Sequence, residues 1–196
     1  MARVTITYEN HIAHVRLTRA DKMNAVDQGM IDAIIAAGNE VAASDARVAV
    51  ISGEGKAFCA GIDISAMGAL AGGDPADKMM PRTHGDGTTN QWQEVSMVWT
   101  RVGVPVIAAL HGKVYGAGMQ LALGADIRIA APDAELAVME MKWGIVPDMG
   151  GMVLLPKLVR GDVQIGRACT AADDLYRTTD RRDSGRTLGA GHTACR

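Results

Sequence analysis

The sequence predicts an α/β fold with crossover connections. Three observations carry that reading: apolar stretches of strand length, glycine-punctuated turns directly after them, and segments of helical spacing after the turns. The chain has 196 residues, 48% hydrophobic and 21% charged, with a formal net charge of −2, which fits one domain of ordinary globular composition. That balance argues against a nucleic-acid partner. No run reaches the ~18 consecutive apolar residues of a membrane helix, and the opening MARVTITYEN has a strand pattern instead of a targeting one. Cys59, Cys169 and Cys195 are odd in number and scattered, giving neither a disulfide framework nor paired metal ligands, so a reducing, cytoplasmic location is expected.

Val4, Ile6 and Tyr8 alternate with polar residues, Glu9-Asn10 can turn, and Ile12 to Leu17 alternate again, which predicts a β-hairpin. Asp27 can cap a helix whose Met30, Ile31, Ile34, Ile35 and Val41 share a face. Val48 to Ile51 is wholly apolar, as in a strand buried on both faces. Ser52 to Gly61 forms a loop, and Ile62 to Leu70 a short helix. Ala71 to Asn90 is the best candidate for a mobile surface loop. A helix from Gln91 to Val102 comes next, then a strand from Pro105 to Leu110 and a glycine-rich turn. A helix over Ala117 to Leu123 and a strand over Ile127 to Ala130 complete the pattern.

Residues 1–160 therefore form the core domain, and 161–196 read as an atypical tail, disordered or frame-shifted. Seven of the fourteen arginines lie from Arg160 onward, and Val163, Ile165, Leu175 and Leu188 are too sparse to mark a packed face.

Two loops share one physical design. In Gly55 to Asp63 and again in His111 to Gln120, a strand ends, small residues let backbone approach a ligand, and a helix begins with free N–H groups. Two such donors converging on one oxygen would form an oxyanion hole. Taken singly, each loop also fits an ordinary tight turn, and the spacing around Gly116 and Gly118 lacks a full dinucleotide fingerprint.

Together, Arg19 to Val26 (RADKMNAV), Ala57 to Ile64 (AFCAGIDI), Gly112 to Asp126 (GKVYGAGMQLALGAD) and Glu140 to Gly151 (EMKWGIVPDMGG) resemble the crotonase, or enoyl-CoA hydratase/isomerase, superfamily. The resemblance implies a crotonase-like spiral of ββα units, whose usual C-terminal helices are not recognisable here. It implies an acyl-CoA thioester as substrate, with coenzyme A as part of the substrate and no separate cofactor or metal, and a homotrimer or dimer of trimers if the native C-terminus is present. It places the oxyanion donors at Ala60 and Ala117. The CoA moiety would lie along Lys22, Met23 and Ala25, with Ala60, Gly61, Ile62, Asp63, Ile64, Gly116 and Ala117.

Glu140 matches the family's second catalytic glutamate, a general base at the α- or γ-carbon of the thioester. The first catalytic glutamate aligns with Gln120, which has the same shape and can hold a water but cannot take a proton. Asp148, eight residues after Glu140, matches an aspartate of the dienoyl-CoA isomerases. It suggests a proton shuttle with Glu140, the alternative being a cap on a helix beginning near Met149. Double-bond isomerisation is thus favoured over hydration of a 2-enoyl-CoA. A non-catalytic acyl-CoA-binding homologue is the further alternative. Cys59 is expected to pack instead of attack, and Met30, Met119, Met139, Met141, Met149 and Met152 to fill core or line an acyl pocket.

Overall fold

The computed structural model describes residues 2–65 and 79–158. Its first two strands, β1 (Val4–Glu9) and β2 (Ile12–Leu17), are antiparallel and register Glu9 opposite Ile12. The turn is therefore Asn10-His11, one residue later than the pattern suggests. Both residues are left-handed, with φ of 50° and 64°, the conformation that a two-residue hairpin needs to match strand twist.

Helix α1 (Gln28–Ala42) then carries the chain over to β3 (Val48–Gly53), which lies parallel to β2. The Asp27 side chain accepts the Met30 N–H at 2.8 Å and so caps the helix as expected. Met30, Ile31, Ile34 and Val41 are buried on the predicted face. In β3, Ala49 and Ile51 are fully buried while Val48 and Val50 are only half-buried. The expectation of a strand enclosed on both faces is thus corrected to one closed face.

Beyond β3 the chain makes two successive passes of long strand, short strand and helical segment, reached through α2 (Gln91–Met97), which Asn90 opens through a reciprocal capping box with Gln93. The helix expected over Gln91–Val102 changes at Val98 into a 3₁₀ turn, Val98–Arg101. Strand β4 (Val106–Leu110) enters the large sheet, β5 (Lys113–Tyr115) leaves it, and α3 (Ala117–Leu123) follows. Then β6 (Ile127–Ala130) joins the large sheet and β7 (Glu135–Ala137) pairs with β5. A 3₁₀ turn, Met139–Trp143, and α4 (Gly151–Leu158) end the described chain. The large sheet has the order β1-β2-β3-β4-β6, parallel throughout except for the hairpin.

The second layer was not legible as strand. Lys113 to Tyr115 lies within what reads as a glycine-rich turn, yet it pairs with Glu135 to Ala137. Bridges from Ala57 to Gly112 and from Cys59 to Val114 tie the first loop to the same layer. Three-residue strands carry too little alternation to declare a period.

The core is continuous between the large sheet and the helices. Trp99, Phe58, Leu17, Ile51 and Leu121 are among its fully enclosed side chains. At the far edge, Ile127 and Ile129 of β6 are exposed, as are Trp143, which ends the Met139–Trp143 turn, and Ile145 and Val146 beyond it. The expected helix Ile62–Leu70 starts at Ile64, and its remainder past Ser65 lies outside the described residues, as does the 161–196 tail. The expected loop 71–90 is described only from 79, where His84 pairs with Thr89 around a tight turn.

Candidate active site

The two glycine-rich loops meet side by side. Tyr115 N–H donates to the Cys59 carbonyl at 3.0 Å, and Cys59 N–H to the Lys113 carbonyl at 3.1 Å. At Gly118 a Cβ would run into the Cys59 carbonyl and stand 2.7 Å from the Cys59 Cβ, so only glycine permits this approach. Cys59 is wholly buried and its thiol is pushed up to about 12 by burial, so it packs and is no nucleophile at neutral pH.

Within the first loop the N–H groups are assigned differently from expectation. Ala60 N–H donates to the Met23 carbonyl at 3.0 Å and is spent on the fold. This corrects the placement of the first oxyanion donor. Asp63 N–H donates to the Val26 carbonyl at 2.9 Å, and the Gly61 backbone engages the Cys59 sulfur. Between them, the Ile62 N–H has no hydrogen-bond acceptor among the described residues. The sequence could not single it out, because which N–H is spent depends on the Met23 and Val26 carbonyls across the chain.

The second loop runs directly into a helix. Ala117 opens α3, where the first N–H groups of a helix lack an intrahelical acceptor, and Gly116 before it has φ of 49°. The Glu140 carboxylate reaches the same spot: a Cβ at Gly116 would lie 3.3 Å from Glu140 Oε1.

Gln120, one turn along α3, is buried and joined at both ends. Its Nε2 donates to Glu140 Oε1 at 2.7 Å, and its Oε1 accepts the Gly151 N–H at 2.9 Å. The amide expected to hold a water thus takes protein partners at both ends. Glu140 Oε2 is buried and has no hydrogen-bond partner. Burial raises the Glu140 pKa above the ordinary glutamate range and the Asp148 charge raises it further, while bonds from its own backbone and Gln120 lower it.

Asp148 is exposed, and α4 starts at Gly151, where Met152 and Val153 donate to the Pro147 and Gly150 carbonyls. Among the described residues no hydrogen bond to the Asp148 side chain supports a capping role. Its influence on Glu140 places it in the same electrostatic neighbourhood.

The segment expected along coenzyme A divides into rim and scaffold. Lys22, Met23 and Ile64 are exposed, and Ala25 and Ile62 half-buried. Asp63, in contrast, is committed inward: Arg19 Nη1 lies 2.7 Å from its Oδ2, and Ser65 donates to its Oδ1 through both N–H and hydroxyl. These bonds hold its carboxyl down to about 2 and leave it a scaffold residue, correcting its expected place at the CoA moiety. Asn24, not singled out by the sequence, is the buried link, donating from Nδ2 to the Glu54 and Ala57 carbonyls at 3.0 and 2.9 Å. Asn24 and its neighbour Met23 are both left-handed, with φ of 55° and 49°, a conformation that an amide residue tolerates.

Among the methionines, Met30, Met119 and Met149 are core, Met139 is half-buried, and Met141 and Met152 are exposed. Among the described residues no group of three or more His, Cys, Asp or Glu could hold a metal ion, and no helix is long and apolar enough to cross a membrane.

The chain has clear relatives in sequence and fold. The profile of the enoyl-CoA hydratase/isomerase family matches residues 7–178, and the chain belongs to that family. It is 36% identical over 166 residues to the Mycobacterium tuberculosis protein named "Probable enoyl-CoA hydratase echA14", covering 84% of this chain and 60% of that one. It is 34% identical over 168 residues to the human mitochondrial Delta(3,5)-Delta(2,4)-dienoyl-CoA isomerase, covering 80% of this chain and 48% of the other. The crystal structure of an enoyl-CoA hydratase from Thermoplasma volcanium superposes with a TM-score of 0.70 at 34% identity, over 88% of this chain and 64% of that one. The fold is the crotonase fold. The chain spans about half to three-fifths of the length of these curated relatives.

Proposed function

We propose that the protein binds an acyl-CoA thioester and moves a proton on it by way of an enolate, with Glu140 as the base. The observation that carries the reading is Glu140 Oε2, a buried carboxylate oxygen without a partner, held where α3 begins. A thioester carbonyl seated against the Ala117 and Ile62 N–H groups would receive the enolate charge there, and removing one such donor typically costs about 10²–10³ in rate. Glu140 takes the α-proton as the electron pair moves into the carbonyl. A proton returned to the far end of the conjugated system completes a double-bond shift with no net change in atoms.

Isomerisation is favoured over hydration. Gln120 supplies no second carboxylate and its amide is engaged at both ends, whereas Asp148 supplies a second acid near Glu140. Asp148 then returns or relays the proton. The rival, hydration of a 2-enoyl-CoA, draws on the likeness to the protein named as a hydratase. Lys22, Met23, Ala25, Gly61 and Ile64 would line the path of the CoA moiety. The exposed Ile127, Ile129, Trp143, Ile145 and Val146 are apolar surface of the kind that self-association covers, in line with a homo-oligomer.

The deciding experiment is α-deuterium exchange in D₂O with hexanoyl-, 2-hexenoyl-, 3-hexenoyl- and 3,5-octadienoyl-CoA, followed by mass, with product analysis. Exchange with a shifted double bond supports the isomerase reading. Formation of 3-hydroxyacyl-CoA would favour hydration, and tight binding without exchange would mean a non-catalytic binder.

A further inference from the structure

We propose that Gln120 is a positioning residue that selects the reacting oxygen of Glu140: it holds Oε1 and leaves Oε2 as the proton acceptor. The inference rests on the reading of Glu140 as base. Chemistry fixes which way the amide faces. A backbone N–H can only donate, so the end of Gln120 that meets Gly151 N–H must be its oxygen, and the end that meets Glu140 must be the NH₂.

The clamp is built from three elements at once. Gln120 is 1% exposed on α3, Gly151 opens α4, and Glu140 sits on the 3₁₀ turn between them in the chain. A Cβ at Gly151 would stand 2.9 Å from Gln120 Oε1, so glycine there leaves the amide its seat. A carboxylate bound at one oxygen cannot exchange its two oxygens by rotation. The free one, Oε2, is the buried atom with no partner.

The amide does not titrate, so it grips Glu140 at every working pH and favours the charged form. Asp148 is the charged group that opposes it. Neither α3 nor the first turn of α4 carries an ionisable side chain, and Lys142, on the same turn as Glu140, is exposed.

The test uses the full chain and deuterium exchange into 3-hexenoyl-CoA across pH, with KM and Tm measured alongside. Gln120→Met and Gln120→Leu keep the bulk of the side chain without the donor. Both are expected to lower kcat by about 10–100-fold, the rate equivalent of one hydrogen bond to a charged group. KM should stay nearly constant, and the rising limb of the pH profile should move to higher pH. Gly151→Ala, whose Cβ would stand 2.9 Å from both Gln120 Oε1 and Pro147 Cβ, should move the limb in the same direction and serves if the Gln120 variants do not fold. A changed Tm with unchanged kcat and pH profile would overturn the positioning role while leaving the base assignment intact, provided Glu140→Gln abolishes exchange. Exchange that persists in Glu140→Gln, or is absent from wild type, would instead overturn the reading of Glu140 and the clamp with it.

Discussion

Gln120 Nε2 donates to Glu140 Oε1 at 2.7 Å across two passes of the spiral, joining a helix in the core to a turn at the rim. One carboxylate oxygen is thereby occupied and the other left bare.

Replacing Glu140 by glutamine keeps that shape and removes the base. Exchange of the thioester α-proton is expected to fall by about 10²–10⁴-fold, the usual worth of a positioned general base, while acyl-CoA affinity changes little. Mass-detected exchange beside calorimetric binding checks both halves. Unaltered exchange would send the search for the base elsewhere.

The pH dependence has a definite sign. Burial raises the folded-state pKa of Glu140, so its ionised, working form is reached at higher pH than for an ordinary glutamate, and kcat/KM should climb with pH through that raised value. The same shift lowers stability as pH rises from the ordinary glutamate range through the folded value, because the native state binds the proton more tightly. A pH–rate profile of wild type gives the first, and chemical denaturation at stepped pH the second.

Asp63 has the opposite sign. Its carboxyl sits near 2 in the folded state against an ordinary 3.8, owing first to the Ser65 hydroxyl and then to Arg19, so its contribution is full above about pH 4 and is lost as pH falls towards 2. Asp63→Asn should reduce unfolding free energy by about 2 kcal/mol at neutral pH, the scale of hydrogen bonds to a charged group. The deficit should shrink in acid. A constant deficit across that window would contradict the assigned cause.

Gly118→Ala tests the crossing of the two loops. The new Cβ would meet the Cys59 carbonyl and side chain, both held by buried backbone, and overpacking of this kind costs about 1–3 kcal/mol. Urea denaturation should show that loss, with exchange activity falling as the Ala117 and Ile62 N–H groups separate.

Legibility followed the length of each signal. α1 spans fifteen residues with a capping aspartate, and its apolar face was readable residue by residue. β5 and β7 span three residues each and were not. Glu140 and Gln120 were readable as candidates by their places in motifs. Their bond to one another was not, since it depends on the Gly151 N–H of a third element donating to the amide oxygen. Asp63 and Ala60 looked like ligand contacts for a related reason: a motif shows which residues recur together without showing which of their polar groups the fold consumes. Of the partners that consume them, Arg19 and Met23 lie some forty residues earlier in the chain, and Ser65 lies two residues beyond Asp63.

The contact of Gly118 with Cys59 also gives the molecule a clock. A thiol sealed between two crossed turns meets a reagent only when those turns part, so in a Cys169→Ser, Cys195→Ser background the labelling rate of Cys59 counts openings of the site's floor. Because the turns that guard the sulfur are those carrying the Ala117 and Ile62 N–H groups, a bound thioester should slow the clock. Catalytic readiness could then be timed without any turnover.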